Sequence, residues 1–172
     1  MRILCVVSML GALVATSSAQ AQGEGKSAPA FPETPTMVKA YRGSTADAVW
    51  KSVDGVYQKL RIKTTMRSAG QRILANPAFP IQKELGAFKL AELFDCGTNA
   101  DGPIAANAPL VLSVKSSVKS LESGTVLSTW IEAHAAPVPG EPAPQFTCRS
   151  LGKLEEELQP DKILVFTIVP KR

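Results

Sequence analysis

The stretch ELFDCGTNADG, residues 92–102, gathers three carboxylates, a thiol, an amide and two glycines into eleven positions. A cysteine in such company is a nucleophile, a metal ligand or half of a disulfide. Each reading makes its own demand on the rest of the chain. A nucleophilic Cys96 needs a base within reach, and His134 is the only histidine. Strand alternation sets His134 beside Glu132 and Trp130 on an outward face, where it reads as a surface residue. No G-x-S-x-G elbow, phosphate-cradling glycine loop or H-E-x-x-H is present. Convergence of Asp95, Asp101 and Glu132 is the one carboxylate constellation left for catalysis, and no spacing argues for it.

Metal chemistry meets similar obstacles. Asn99, Asp101 and Gly102 fall at the third, fifth and sixth positions of a calcium loop, but its first and twelfth positions would be Gly97 and Ala108. Both end carboxylates are therefore missing. Zinc would need Cys96, Cys148, His134 and Asp95 to converge, without the close cysteine pairs of structural sites. The chain reads as non-enzymatic, with no catalytic residue, no metal and no cofactor.

The amino terminus decides what the cysteines do. One arginine, an apolar run over residues 3–15 and the small-residue end Ala19-Gln20-Ala21 form a secretory signal peptide, with cleavage expected after Ala21. The run is too short for a spanning helix, which needs about 20 apolar residues. Cys5 sits at the beginning of that run and not at its end, where an acylated cysteine would stand, so lipidation at Cys5 is not expected. After cleavage Cys96 and Cys148 remain, in an exported chain where oxidation is the default. They are expected to pair. The location is then periplasmic or secreted, and not membrane-spanning.

Lys and Arg number 19 against 15 Asp and Glu, and the signal peptide holds only Arg2 among them. The mature chain is mildly basic, its charges are scattered and aromatics rarely accompany them, so nucleic-acid binding is not expected.

Residues 22–36, rich in proline and glycine, read as a flexible leader, and residues 37–172 as a single domain. MVKAYR predicts a short strand. Ser44 with Asp47 reads as a capping pair, and Val49, Trp50, Val53, Val56, Tyr57 and Leu60 recur at helical spacing behind it. Residues 61–67 and 71–76 predict a hairpin, and residues 85–94 a short helix delivering Asp95 and Cys96. Residues 109–136 form the clearest hairpin, flanking Glu122-Ser123-Gly124; a four-residue loop would keep the same faces with the register shifted, and the pairs that follow are those of a two-residue loop at Ser123-Gly124. Val118 is then opposite Thr129, Ser116 opposite Ile131, and Lys115 opposite Glu132 on the other face. Residues 137–144 are a proline-rich loop. Ser150 is expected to cap LGKLEEELQ, and residues 163–169 to add a strand. These elements contain no regular β-α-β alternation, which predicts an α+β fold: a single antiparallel sheet with two main helices packed on one face and one disulfide.

Two places on this layout could bind. Trp50, Val53 and Tyr57 of the helix face Val114, Thr129 and Ile131 of the hairpin, and the seam between them could hold a small apolar ligand. Trp130 falls on the opposite, polar face with Val111, Leu121 and Val126 nearby, so a partner protein or the C-terminal segment should cover it.

The motif C-x-S-x-G-x-L-E at Cys148, Ser150, Gly152, Leu154 and Glu155, with D-C-G at Asp95, Cys96 and Gly97 and the helix containing Trp50, resembles an uncharacterised group of exported bacterial proteins and lipoproteins. The resemblance covers roughly residues 37–158 and implies a shared disulfide-stapled α+β scaffold with no implied activity. In layout the chain is similar to helix-grip ligand binders and to the modules of outer-membrane barrel-assembly lipoproteins. The function expected is protein–protein contact with an unknown envelope partner; the alternative is a carrier or sensor of a small apolar ligand.

Overall fold

The computed structural model describes residues 31–136 and 146–160. The signal peptide, the proline-rich loop and the strand expected at residues 163–169 lie outside them.

Helix α1, Ala46–Lys59, follows strand β1, Met37–Tyr41. Its N-cap is Thr45, whose hydroxyl accepts the Ala48 amide at 3.2 Å. The expected pair of Ser44 and Asp47 is thus corrected, for a tertiary reason. The Ser44 carbonyl accepts the Thr125 hydroxyl at 2.7 Å, and Asp47 pairs with Arg72 at 2.6 Å. The stripe itself buries as its spacing requires: Ala46, Val49, Val53 and Tyr57 face inward.

Strands β2, Met66–Ser68, and β3, Ile73–Ile81, form the first hairpin. Sequence pattern ends its second strand at Asn76, before Pro77. The chain instead pairs with its neighbour as far as Ile81, because the register shifts between Asn76 and Phe79. A bulge of this kind lets a proline pass without breaking the ladder. Asn76 stabilises it, accepting the Ala78 amide at 3.0 Å.

The helix expected over residues 85–94 is replaced by shorter pieces: β4, Glu84–Leu85, β5, Phe88–Lys89, the single turn α2, Leu90–Leu93, and β6, Phe94–Asp95. Lys83 and Gly86 take positive φ angles of 64° and 62°, which a helix does not accommodate. A second small ladder, β7, Thr98–Asn99, with β8, Gly102–Pro103, leads into the turn α3, Ile104–Asn107.

The long hairpin is β9, Leu110–Leu121, and β10, Gly124–Ala135. Leu121 is opposite Gly124, so the loop is Glu122-Ser123, one residue earlier than expected. Every pair moves by two positions: Val118 is opposite Leu127, Ser116 opposite Thr129, and Lys115 opposite Trp130 instead of Glu132. The faces survive, since a shift of two preserves alternation. Gly124 serves the strand end and not the turn, because a Cβ there would come 2.8 Å from the Tyr41 carbonyl oxygen, and its φ is 138°.

Strand β11, Thr147–Ser150, and helix α4, Lys153–Glu157, complete the described chain. The main sheet has seven strands in the order β2-β3-β9-β10-β11-β6, with β1 also on β10. Strands β1 and β11 share one edge of β10, the first along Thr125–Thr129 and the second at Ala133 and His134. The fold is α+β with a large antiparallel sheet. It differs from the expected one in having four helices among the described residues and two small ladders beside the main sheet. A single core holds it together: Val53, Leu74, Leu110, Leu112, Leu127, Leu93 and Leu154 are fully buried in one cluster. Core-facing residues of β9 are even-numbered and those of β10 odd-numbered; the alternate set forms the sheet's back face.

Candidate functional site

The stretch that looks like a site is a staple. Cys96 and Cys148 are disulfide-bonded, with Cα atoms 4.2 Å apart, slightly closer than the usual span of about 4.4–6.8 Å. Cys96 therefore has no free thiol for a Cys96–His134 dyad. Asp95 Oδ1 accepts the Gly97 amide at 3.0 Å, and Asn99 Oδ1 accepts the Asp101 amide at 3.0 Å. These are turn-forming bonds. Among the described residues, no three His, Cys, Asp or Glu side chains come together as metal ligands.

Every fixed position of the two motifs has a structural task. Strand β6 pairs with β11, setting Asp95 opposite Arg149 and Phe94 opposite Ser150, and the bridge locks this junction. The Ser150 hydroxyl accepts the Gly152 amide at 3.1 Å and donates to Glu155 at 2.7 Å. Gly152, not Ser150, is the N-cap of α4, at a φ of 85° that favours glycine. Leu154 is fully buried and Glu155 nearly so. Lys153 bonds Glu92 at 2.6 Å, joining α4 to α2 and holding the Glu92 carboxyl below its ordinary range. Serine followed five residues later by glutamate is not a capping spacing, so sequence alone gave no signal for this bond.

The helix–sheet seam brings together the six residues expected there. Val53, Tyr57, Val114 and Ile131 belong to one buried cluster, and Thr129 lies on the core face opposite Ser116. The Tyr57 and Ser116 hydroxyls share a hydrogen bond at 3.1 Å. Val53, Val114 and Thr129 are 0 % exposed, so no water-sized space touches them. Trp50 lies at the rim, with the Arg67 guanidinium 5.1 Å from its ring; nothing in the spacing of Arg67 announced this contact. Among the described residues, three buried polar atoms lack hydrogen-bond partners: Tyr41 Oη, Trp50 Nε1 and Thr129 Oγ1.

Burial pushes the Tyr41 hydroxyl from 10.0 up to about 12. Tyr57 is also raised by burial, with its bond to Ser116 opposing in part. Unfolded tyrosines ionise near pH 10, so above that pH the unfolded chain loses protons that the folded chain keeps. Stability should be level with respect to these groups below about pH 10 and fall as pH climbs toward 12. Urea midpoints across that window check this, and Tyr41→Phe with Tyr57→Phe should flatten the alkaline decline.

Among the described residues the back face is partly covered: Ser113 and Ser117 are buried, while Val111, Lys115 and Glu132 are partly exposed. Trp130 lies there half-buried, with the Lys115 ammonium 4.4 Å from its ring centroid. The same ammonium is 5.6 Å from the ring of Phe31, a residue of the expected leader that no pattern placed here. Thr36, also in that leader, donates to the Thr129 carbonyl at 3.1 Å. Ser128 and Glu132 are the neighbours of Trp130 on this face of β10, Val126 and Val111 lie farther along the hairpin, opposite Lys119 and His134, and Val38, Leu121 and Met66 are exposed. His134 sits on this face between Glu132, 3.4 Å away, and Thr147, 3.3 Å away.

No described helix is long and apolar enough to cross a membrane. Comparison with protein-family models, curated proteins and solved structures finds no match.

Proposed function

We propose that this is an exported, non-enzymatic protein that works by presenting the back face of its main sheet to a partner protein of the envelope or the secreted milieu. The observation that carries this reading is the unequal cover of the sheet's two faces. One face packs the core, while the other leaves Trp130 partly exposed against Lys115, with Val111 and Val126 partly exposed farther along the hairpin. A partly exposed tryptophan ring with a cation over it is the kind of side-chain anchor found at interface centres. Lys115 and Lys119 on the same face favour a partner whose apolar patch is framed by carboxylates. The stapled junction of β6 and β11 supports the same reading, since it spends the chain's most reactive-looking residues on rigidity.

Photo-crosslinking from position 130 in the native envelope tests it. The captured protein, once purified, should bind the mature chain directly, and Lys115→Glu should weaken binding about tenfold or more, as should raised salt. A strictly monomeric protein that yields no crosslink, or a complex indifferent to Lys115→Glu, counts against the proposal.

The apolar-ligand alternative draws on a separate observation, the unpartnered Thr129 Oγ1 and Trp50 Nε1 along the helix–sheet seam. A ligand there would have to part α1 from β9 and β10 on entry.

A further inference from the structure

The leader does not stop at the sheet's edge. Thr36, one residue before β1, donates to the Thr129 carbonyl at 3.1 Å, where Met37 pairs with Thr129. Pro35 and Pro32 lack amide donors, so the chain cannot prolong β1 along β10 and leaves the ladder. It turns onto the back face. Five residues before Thr36, the Phe31 ring lies 5.6 Å from the Lys115 ammonium, and that ammonium lies 4.4 Å from the Trp130 ring. Lys115 and Trp130 are opposite one another on β9 and β10. One cation thus serves two rings, the first from the sheet and the second from the segment crossing it.

This segment is held by little. Phe31 lies outside the core cluster, and Glu33, Thr34 and Thr36 are exposed. Among the described residues, the contacts that fix it are the Thr36 bond and the Phe31 ring beside Lys115. Contacts of these two kinds at a wet surface are weak one by one, and a segment so attached opens while the rest of the fold stays closed.

We propose that residues 31–36 form a displaceable strap that occupies the Lys115–Trp130 site, and that the ligand of this site is an extended peptide segment of the partner carrying an aromatic ring in the place of Phe31. The proposal rests on the reading of the back face as a partner surface and adds what the partner presents there. A cation selects an aromatic side chain because the ring face is electron-rich. A proline beside the ring keeps the segment extended and out of the β10 ladder. The tethered strap competes at an effective concentration in the millimolar range, so the site rejects weak aromatic peptides and yields to a partner that makes further contacts.

Nuclear magnetic resonance of the mature chain, with a peptide of sequence Phe-Pro-Glu-Thr-Pro-Thr as the probe, tests the strap. Phe31→Ala removes no core side chain; it should shift the Trp130 indole and Lys115 resonances and leave those of Trp50 in place. Adding the peptide to this variant should return them toward their wild-type positions, and the same peptide with alanine for phenylalanine should not. A site closed about nine-tenths of the time keeps about a tenth of its affinity, so the peptide should bind Phe31→Ala about tenfold or more tightly than wild type. Thr36→Val, which removes the strap's hydrogen bond, should change peptide binding in the same direction. Resonances alike in wild type and Phe31→Ala overturn the proposal, as do variant resonances that the peptide leaves unmoved. A partner crosslinked from position 130 that binds wild type and Phe31→Ala equally overturns the strap while the back-face reading stands. Restoration by the peptide where no partner is captured supports the strap while that reading falls.

Discussion

Replacing both cysteines, Cys96→Ser with Cys148→Ser, is expected to lower the unfolding free energy by about 2–5 kcal/mol. The bridge joins residues separated by 52 positions, and the chain-entropy model assigns a loop of that size about 4 kcal/mol. That is a large fraction of the roughly 5–15 kcal/mol holding a domain folded. The loss should be this large because little else crosses the junction. Strand β6 contributes only Phe94 and Asp95 to its ladder with β11, the Leu151 amide adds a bond to the Leu93 carbonyl, and the Arg149–Asp95 pair is exposed at 3.5 Å, where ion pairs contribute little. Urea denaturation of oxidised wild type against the double variant measures the difference. The tryptophan fluorescence of the folded variant should match wild type, because Trp50 and Trp130 touch neither cysteine's ladder. A loss below about 1 kcal/mol would show that the junction holds without its bridge.

What the sequence could and could not announce follows from the range of each interaction. The pairing of Cys96 with Cys148 was readable because the signal peptide read from the sequence, once removed, would leave only those two cysteines. The buried stripe of α1 and the two faces of β9 and β10 were readable because periodicity is local. Trp130 was placed on the back face by alternation alone, and its face is unchanged by the shift of two in the hairpin register. The register itself was not readable, since Gly124 answers to the carbonyl of Tyr41, a residue far away in sequence. The two expected serine caps failed for different reasons, one long-range and one local. Ser44 is engaged through its carbonyl by Thr125, and Ser150 spans to Glu155. The helix expected over residues 85–94 failed because apolar spacing there reflects several short turns feeding one core, which mimic a helical period. Phe31 at Lys115 and Arg67 at Trp50 left no signal, because a contact between a cation and a ring has no spacing rule.

Truncating the seam should give the second large effect: Tyr57→Ala is expected to destabilise the fold by about 3–5 kcal/mol. Tyr57 is 1 % exposed, so its ring fills space that no solvent reaches, and its removal leaves the Ser116 hydroxyl without the bond it now makes at 3.1 Å. Tyr57→Phe separates the two contributions. It keeps the ring and removes the hydrogen bond, so about 1 kcal/mol should be lost. The same pair of variants tests the apolar-ligand alternative. In wild type Val53, Val114 and Thr129 are 0 % exposed, and a small apolar probe such as benzene should raise neither the melting temperature nor the urea midpoint. In Tyr57→Ala a cavity bounded by Val53 and Val114 should open, and an apolar cavity of that kind takes up benzene. Stabilisation by the probe should then follow mass action, about 2.7 kcal/mol when the ligand is at a hundredfold its dissociation constant. Stabilisation of wild type to the same degree would mean that the seam opens on its own, and would move the function from the back face of the sheet to the space beneath α1.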